Sequence, residues 1–306
     1  MASEVGIGKG RAVAARIGRV GVWASQLQWQ TGARAQEAIA EIEELGFGAV
    51  WVGEATGKEI LTHAAVLLAA GGDILVATGI ASIWARDPMA MANAGRTLAE
   101  AYPGRFVLGL GVSHPFLTQK RERGYERPLS QMQHYLDAMD RAPFAGPPAE
   151  APPRVLGALG PKMLGLARDR ASGAHSYFVP VEHTALAREV LGHDPLLAPE
   201  QAVLLEPEPD VARPLARKHM ATYLALSNYA KNLRRLGWSD EDLADGGSDR
   251  LVDALVAWGD VEAVLERVRS HHDRGADHVA IRVLSDDPKR LPLQELKEIA
   301  TALAGA

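Results

Sequence analysis

The sequence feature that most constrains the fold is a repeated alternation between short apolar runs and longer runs of helical period. The run 49–54 (AVWVGE) is rich in β-branched and aromatic residues, whereas 59–72 places apolar residues at helical spacing and ends on two glycines. Strands that are apolar throughout are typical of parallel sheets covered on both faces. Eight strand-like runs alternate with helical segments: 16–23, 49–54, 73–80, 105–111, 153–159, 173–180, 201–206 and 277–284.

Eight strand–helix units in a chain of 306 residues predict a (β/α)8 TIM barrel, with a doubly wound open sheet as the alternative. Two regions depart from the alternation. Residues 141–154 form a linker rich in Pro and Ala, and residues 209–258 look entirely helical and too long for one barrel helix. We therefore predict a helical insertion at 209–258, between the seventh and eighth strands, within a single domain that spans 1–306.

Composition excludes several classes of function. The absence of cysteine rules out disulfides, thiolate metal sites and cysteine nucleophiles. The formal net charge of −5, with no tract rich in Lys and Arg, leaves no electrostatic footprint for nucleic acid. The longest apolar stretch, 63–84, is interrupted by Gly71, Gly72 and Asp73, and no apolar core run precedes Val20. We therefore expect no nucleic-acid partner, no membrane span and a cytoplasmic location.

The predicted strand ends are rich in Gly, Ala and Ser and poor in charge. In a barrel the reactive groups lie where strands end and the following loops begin. These ends carry neither a His-x-His motif nor a carboxylate cluster, so no metal site is predicted. No lysine ends a strand, which disfavours an aldolase or a related sugar-phosphate barrel. The pattern favours a flat, largely apolar ligand together with a small-molecule substrate.

Two residues at these ends are candidates for moving a proton. Glu54 ends the second predicted strand, and its carboxylate could orient a ligand or transfer a proton. The alternative is a carboxylate at the rim that only forms a salt bridge. His114 follows the fourth predicted strand and could act as a general acid or base near neutral pH. The alternative for His114 is a hydrogen-bonding or surface residue.

The stretch RFVLGLGVSHP (105–115) places Gly109 and Gly111 at the end of the fourth predicted strand. As a dinucleotide-binding fingerprint it is weak, because His114 occupies the third glycine position and Pro115 follows. The glycines are open to two interpretations. Either a ligand comes close to the backbone here, or Gly109 allows close packing inside a crowded barrel.

The stretch LGPKMLGLA (159–167) indicates a helix that begins with Pro161 directly after Gly160. The backbone N–H groups at such a start bind phosphate well, and Lys162 adds a cation. The alternative is an ordinary helix start with a solvated lysine.

Taken together, three stretches resemble the luciferase-like monooxygenase superfamily, and more narrowly its branch of oxidoreductases dependent on coenzyme F420, a deazaflavin. The stretches are LGFGAVWVGEA, LVATGIASIWARDPMAMANAGRTLAEAYPGRFVLGLGVSH and LGALGPKMLGLARDRASGAHSYFVP. The resemblance covers roughly residues 17–181 and weakens after them. It implies a (β/α)8 barrel, often dimeric, with the cofactor in the C-terminal mouth of the barrel.

The resemblance also implies roles for single residues. It predicts a non-prolyl cis peptide bond at Gly79–Ile80 behind the deazaflavin ring, and it places Glu54 near that ring. Ala55 stands where several branches of the family have a histidine, so a mechanism that needs that histidine is in doubt. The cofactor-binding positions that it implies are Glu54, Ala55, Gly79, Ile80, Ala81, Ser82, Gly109, Gly111, Leu159, Gly160, Pro161 and Lys162.

The function implied by this resemblance is hydride transfer between C5 of coenzyme F420 and a small organic substrate, with Glu54 or His114 moving a proton. One alternative is an FMN-dependent monooxygenase on the same fold. Another is a barrel that only binds a ligand, an interpretation that Ala55 keeps open. We also expect a homodimer that forms through the helices near 59–70 and 88–101.

Overall fold

The computed structural model describes residues 10–305, whose strands form one curled parallel sheet. Every pair of neighbouring strands in that sheet is parallel. The strands are β1 (Val20–Trp23), β2 (Ala49–Val52), β3 (Leu75–Thr78), β4 (Ala81–Ser82), β5 (Phe106–Gly111), β6 (Arg154–Gly157), β7 (Gly173–His175), β8 (Leu196–Leu197), β9 (Glu200–Leu205), β10 (Val256–Gly259) and β11 (Val279–Val283).

Helices follow most of the strands and cover the outside of the sheet. Several begin at a side-chain cap: the Asp87 carboxylate accepts the Ala90 amide hydrogen at 2.9 Å, and Pro88 takes the first position of that helix. The helices are α1 (Gly10–Ile17), α2 (Gly32–Glu44), α3 (Ile60–Leu68), α4 (Pro88–Ala101), α5 (Pro115–Gln119), α6 (Pro128–Asp140), α7 (Pro161–Arg170), α8 (Val181–Leu191), α9 (Pro209–Leu224), α10 (Ser227–Arg235), α11 (Asp240–Leu243), α12 (Asp249–Leu255), α13 (Val261–Asp273) and α14 (Leu293–Ala304).

The sheet closes into the predicted (β/α)8 barrel. The strand order runs β9, β11, β1, β2, β3, β5, β6, β7 and β8, and β4 pairs with β5. Only Ala198 and Pro199 separate β8 from β9, so the seventh position of the barrel is shared between these two segments. In the same way β3 and β4 together make the third position, interrupted at Gly79 and Ile80.

The core has an inner and an outer part, as expected for a sheet buried on both faces. Inside the barrel, Trp51, Val107 and Val155 pack together with Val13 and Ile17 of α1. Outside it, the opposite faces of the strands pack against the helices in a much larger apolar cluster. Burial on both faces explains why most strand positions are apolar. No helix within residues 10–305 is long and apolar enough to cross a bilayer.

The predicted insertion at 209–258 is helical only as far as Leu255. Helices α9 to α12 occupy Pro209–Leu255, whereas Val256–Gly259 form β10, which pairs in parallel with 202–205 of β9. The prediction of helix was wrong at 256–258. A short apolar run that continues a helical spacing can also form a strand. The sequence prediction also missed α1, α5 and α6. The linker at 141–154 has no helix or strand before Arg154, where β6 begins.

Candidate active site

A cavity of about 300 Å³ opens at the mouth of the barrel, where the strands end. Its wall combines strand ends with residues of α9 and α10, so the insertion forms one side of the cavity. The residues from the strand ends and the loops after them include Trp23, Gly53, Glu54, Ala55, Gly79, Ile80, Gly111, His114, Gly157, Leu159, His175, Tyr177 and Arg282, and those from the insertion include Thr222, Tyr223, Leu226, Asn228 and Tyr229.

The Gly79–Ile80 peptide bond is cis, as the resemblance predicts, and both residues line the cavity. A Cβ on Gly79 would lie 2.8 Å from Trp23 Nε1 and 3.2 Å from His175 Nε2. Only glycine therefore allows these two ring nitrogens to come so close to the backbone at this point. The result is a backbone surface in the cavity wall with two polar ring atoms beside it.

The Glu54 carboxylate is held by ion pairs and hydrogen bonds at the rim of the cavity. Its oxygens accept hydrogen bonds from Arg86 Nη2 at 2.5 Å, Arg86 Nη1 at 3.2 Å and the Ser82 amide at 2.7 Å. Arg121 lies 3.6 Å away, and the Glu54 side chain is 3% exposed. The carboxylate thus links the end of β2 to β4. This geometry agrees with the interpretation of Glu54 as a residue that forms salt bridges.

The space beside Gly109 is filled by the protein, which favours the interpretation that this glycine allows close packing inside the barrel. Gly111 lines the cavity. A Cβ on Gly109 would lie 1.8 Å from the Thr78 carbonyl oxygen. The Thr78 hydroxyl also bonds the Gly109 backbone, with distances of 2.7 Å to its oxygen and 2.8 Å to its nitrogen. A Cβ on Gly111 would lie 2.5 Å from the Ile80 side chain. The glycines therefore let β5 approach the interrupted third position of the barrel.

His114 lies in the cavity wall beside residues of the insertion. Its ring is 5.5 Å from that of Tyr229 and 6.1 Å from that of Phe116. Burial lowers the pKa of His114, and a hydrogen bond with Asn228 offsets part of that effect. His114 Nδ1 is buried and has no hydrogen-bond partner among the described residues. The imidazole is therefore neutral near pH 7 and has one ring nitrogen free for a ligand.

The predicted helix start after β6 is present, and an arginine from the insertion lies beside it. Gly160 directly precedes α7, with Pro161 at the first position and Lys162 exposed at the second. Both Nη atoms of Arg235, at the end of α10, lie 3.6 Å from the position of a Cβ on Gly160. A helix N-terminus with a guanidinium beside it is suited to an anion such as phosphate.

His175 was missed by the sequence analysis, because the predicted strand runs over 173–180 whereas the observed strand β7 ends at His175. Its Nδ1 is 2.7 Å from the Ala198 carbonyl oxygen, which can only accept, so Nδ1 carries the proton. Burial lowers the pKa of His175 to about 4, so the ring is neutral and Nε2 is an acceptor. Neither this Nε2 nor Trp23 Nε1, a donor, has a partner within residues 10–305. An unpaired donor and an unpaired acceptor thus belong to side chains of one cavity wall.

Arg282 and the residues around it were also missed, because charge inside a strand gives no periodic signal. The Arg282 guanidinium donates to the hydroxyls of Tyr177 and Tyr223, the latter at 3.0 Å, and lies over the Trp23 ring at 4.8 Å. Glu200 is nearby and 2% exposed. One of its carboxylate oxygens accepts the Phe178 amide hydrogen at 3.2 Å, and the other has no partner in the described chain.

Burial raises the pKa of Glu200 to about 7, against the opposing effects of Arg282 and of the Phe178 amide. Burial likewise raises the pKa of Tyr177 well above its usual value, so this hydroxyl is neutral. We call Glu54, Ser82 and Arg86 the Glu54 wall, and Arg282, Tyr177, Tyr223 and Glu200 the Arg282 wall.

The structure brings about half of the predicted site residues to one cavity. Those that line it are Glu54, Ala55, Gly79, Ile80, Gly111, His114 and Leu159. Ala81 and Ser82 are buried in β4, and Gly109 is buried in β5. Gly160, Pro161 and Lys162 begin α7, next to Leu159. In the described part of the chain no group of three or more His, Asp or Glu side chains is arranged to hold a metal ion.

Comparison with known proteins identifies the family. Residues 17–278 match the family model described as luciferase-like monooxygenase, and the chain belongs to this family. A relative from Mycobacterium tuberculosis with the name "Putative coenzyme F420-dependent oxidoreductase Rv3520c" is 32% identical over 102 residues. That match covers 33% of this chain and 29% of the relative, so the similarity spans under a third of the relative's length.

Solved structures show the same fold at low sequence identity. An F420-dependent secondary alcohol dehydrogenase in complex with an F420–acetone adduct has a TM-score of 0.72 and 15% identity, over 92% of this chain and 96% of that one. The oxygenating constituent of 3,6-diketocamphane monooxygenase from Pseudomonas putida, in complex with FMN, has a TM-score of 0.67 and 17% identity, over 94% and 98%. Both a deazaflavin enzyme and a flavin enzyme thus have this architecture.

Proposed function

We propose that the chain is an F420-dependent oxidoreductase that transfers a hydride between C5 of the deazaflavin and a small organic substrate. The observation that carries the proposal is the cavity at the barrel mouth, in which the Gly79–Ile80 backbone lies beside unpaired polar ring atoms. The partial match to the M. tuberculosis relative and the similarity to the alcohol dehydrogenase support the choice of F420.

The residues of the cavity fit a flat heteroaromatic ring. Gly79 and Ile80 provide a surface with little side-chain bulk, and Trp23 and His175 provide one unpaired donor and one unpaired acceptor. Buried polar atoms without partners are costly, so a ring that carries both kinds of group would satisfy them. When bound, F420 supplies two-electron hydride chemistry at C5, and the protein supplies position and a dry environment.

The start of α7 fits the phosphate that F420 carries. Leu159 lines the cavity, and Gly160 and Lys162, which flank Pro161, present backbone N–H groups at the helix start. Arg235 lies beside Gly160 and can add charge-assisted hydrogen bonds. The remaining positions implied by the resemblance, Ala81, Ser82 and Gly109, would support the site from behind.

His114 is the better of the two candidates for moving a proton. Its Nδ1 is unpaired, and the ring is neutral near pH 7, so it can accept a proton from a substrate hydroxyl. The Glu54 carboxylate is already held by Arg86 and the Ser82 amide, so we assign to it the role of fixing β4 behind the site. At position 55, where several branches of the family have a histidine, the Ala55 side chain cannot move a proton.

An FMN-dependent monooxygenase is the second candidate function. One observation favours it: the FMN complex of the 3,6-diketocamphane enzyme has the same architecture. The resemblance adds that Ala55 stands where several branches of the family have a histidine. Both cofactors carry a phosphate, so the start of α7 suits either. A barrel that only binds a ligand is the remaining alternative.

Fluorescence titration of the purified protein with oxidised F420 and, in parallel, with FMN tests the proposal. We expect F420 to bind at least tenfold more tightly than FMN. Arg235→Met should weaken F420 binding by about tenfold, the effect of one charged hydrogen bond, whereas Arg168→Met, at the exposed far end of α7, should leave it unchanged. Tighter binding of FMN would favour the monooxygenase, and binding of neither would favour the non-catalytic barrel.

We also propose a cytoplasmic homodimer that forms through α3 and α4. Met89, at the start of α4, is 51% exposed and would be covered in such a contact. Light scattering of the purified protein should give twice the chain mass. A monomer at micromolar concentration would overturn this part of the proposal.

A further inference from the structure

Arg282 is a cation in the wall of the cavity whose hydrogen bonds go to neutral partners. It lies on β11, is partly buried, and lines the cavity together with Trp23, Tyr177 and Tyr223. Its Nη1 donates to the two tyrosine hydroxyls, and its guanidinium lies over the Trp23 ring. A guanidinium has five N–H groups, so these contacts leave capacity for a further partner.

The charge of Arg282 is not fully matched by a carboxylate nearby. Within residues 10–305 no carboxylate oxygen forms an ion pair with it at 4.0 Å or less, whereas Arg86 has Glu54 at 2.5 Å and Glu59 at 2.6 Å. Glu200 is close enough to affect Arg282 electrostatically, but burial raises its pKa to about 7, so it is only partly ionised near neutral pH and matches the charge of Arg282 only in part. A cation held away from water without a counter-ion is costly, so a site of this kind is completed by an anion.

We propose that Arg282 binds the carboxylate of a small organic acid, which makes such acids the substrate class of this cavity. The inference rests on the proposed function, because it places the acid in the same cavity as the redox reaction. The planar guanidinium matches a carboxylate in two parallel hydrogen bonds. Tyr223, Tyr229 and Phe116 line the same cavity, and their rings suit an aromatic or other apolar body.

The size of the cavity and the presence of Arg235 beside the start of α7 narrow the class of substrate further. A cavity of about 300 Å³ that also holds the cofactor's ring leaves room for a small monoacid rather than a polymer. The cofactor also carries anionic groups, and these have their own candidate position at the start of α7, beside Arg235. An anion at Arg282 can therefore come from the substrate or from the cofactor, and the test must separate these two sources.

Benzoate and benzamide are suitable probes, because they have nearly the same size and differ in charge. The dissociation constant of each is measured by calorimetry on the full-length protein, with and without cofactor, for the wild type and for Arg282→Met, Arg282→Lys and Arg235→Met. We expect the wild type to bind benzoate at least tenfold more tightly than benzamide. The preference should vanish in Arg282→Met, fall by only a few-fold in Arg282→Lys, and persist in Arg235→Met.

Three results would overturn the inference. They are equal or undetectable binding of the two probes by the wild type, an undiminished preference in Arg282→Met, and a loss of F420 or FMN affinity in Arg282→Met as large as its loss of benzoate affinity. The last result would assign the anion to the cofactor. Thermal melting shows whether Arg282→Met folds. If it does not, the ratio of the benzamide and benzoate dissociation constants, measured for the wild type and for Arg282→Lys, still tests the inference.

The inference can fail independently of the proposed function. A preference for benzoate that depends on Arg282, in a protein that binds neither F420 nor FMN, would keep the acid site and remove the redox assignment. Tight F420 binding without a preference for benzoate would do the reverse.

Discussion

The Glu54 wall and the Arg282 wall each contain a buried glutamate and an arginine, and Glu54 and Arg282 line the same cavity. In the Glu54 wall the pair is closed: Arg86 and the Ser82 amide occupy the Glu54 carboxylate, and Arg86 also reaches Glu59. In the Arg282 wall the pair is open. Glu200 has one oxygen without a partner in the described chain, and Arg282 donates to hydroxyls instead of a carboxylate.

The difference shows how the same residue types serve two purposes. A closed ion pair with full hydrogen bonding fixes backbone segments, here β2 and β4, and leaves little capacity for a ligand. An open arrangement leaves charge and hydrogen-bonding capacity that a bound molecule can satisfy. We therefore assign structural support to the Glu54 wall and ligand binding to the Arg282 wall.

Removing the Glu54 carboxylate should have the largest effect on stability. Glu54→Ala leaves the Arg86 guanidinium, 13% exposed, without its main partner and leaves the Ser82 amide unpaired. We expect a loss of about 3 kcal/mol in the free energy of unfolding, as is typical when one partner of a buried pair is removed. Urea denaturation measures this value.

Glu59→Gln is the matched control, because Glu59 pairs with the same Arg86 but is 49% exposed. Its loss should stay below about 1 kcal/mol. Equal effects of the two substitutions would show that the Glu54 pair is not the closed structural element described above.

Glu200 should give the protein a characteristic pH dependence. Its pKa is about 7 in the folded chain and near 4.5 in the unfolded chain, so between these values the folded state binds more protons. Stability from this group is therefore present at low pH and is lost as the pH rises towards and through 7. From pH 5.5 to pH 8 the loss should be about 2 kcal/mol.

The variant Glu200→Gln isolates this contribution from that of the buried histidines. Burial lowers the pKa of His175 and His278 to about 4, so these groups destabilise the fold as the pH falls below their unfolded pKa of about 6.5. As the pH rises, the free energy of unfolding of the wild type should fall relative to that of Glu200→Gln. A difference that does not change with pH would mean that Glu200 is ionised in the fold throughout this range.

Gly111→Ala should have the smallest effect, and it probes how tightly the side of the cavity next to the Glu54 wall is packed. The added Cβ would meet the Ile80 side chain at 2.5 Å, and Ile80 would have to move. We expect a cost of about 1 kcal/mol, at the low end of the overpacking range, because a side chain rather than backbone must shift. Gly165→Ala, in open space within α7, should instead stabilise by a few tenths to about 1 kcal/mol. If Gly111→Ala stabilised the protein as Gly165→Ala is expected to do, the Ile80 side chain would be loosely packed.

The sequence was sufficient to predict the barrel, because burial on both faces produces apolar runs at regular intervals. The cis bond at Gly79–Ile80, the start of α7 at Pro161 and the position of His114 in the cavity agree with the sequence analysis. The helix start and His114 depend on local sequence at a strand end, which a single chain can reveal, whereas the cis bond was implied by the family resemblance.

The Arg282 wall could not be predicted, because its members come from distant segments. Tyr177 follows β7, Glu200 begins β9, Tyr223 lies in the insertion and Arg282 is on β11. Nothing in the chain marks them as neighbours until the barrel closes. The sequence left two interpretations open at Gly109 for a related reason: the atom that an added Cβ would meet there is the Thr78 carbonyl oxygen of the neighbouring strand.

A crystal structure of the protein with bound F420 tests the central claim most directly. The account predicts a deazaflavin ring in contact with Ile80, a phosphate at the start of α7 beside Arg235, and an Arg282 guanidinium that does not touch the cofactor's phosphate or acidic tail. A ring bound outside the cavity, or a cofactor whose anionic groups occupy Arg282, would contradict it.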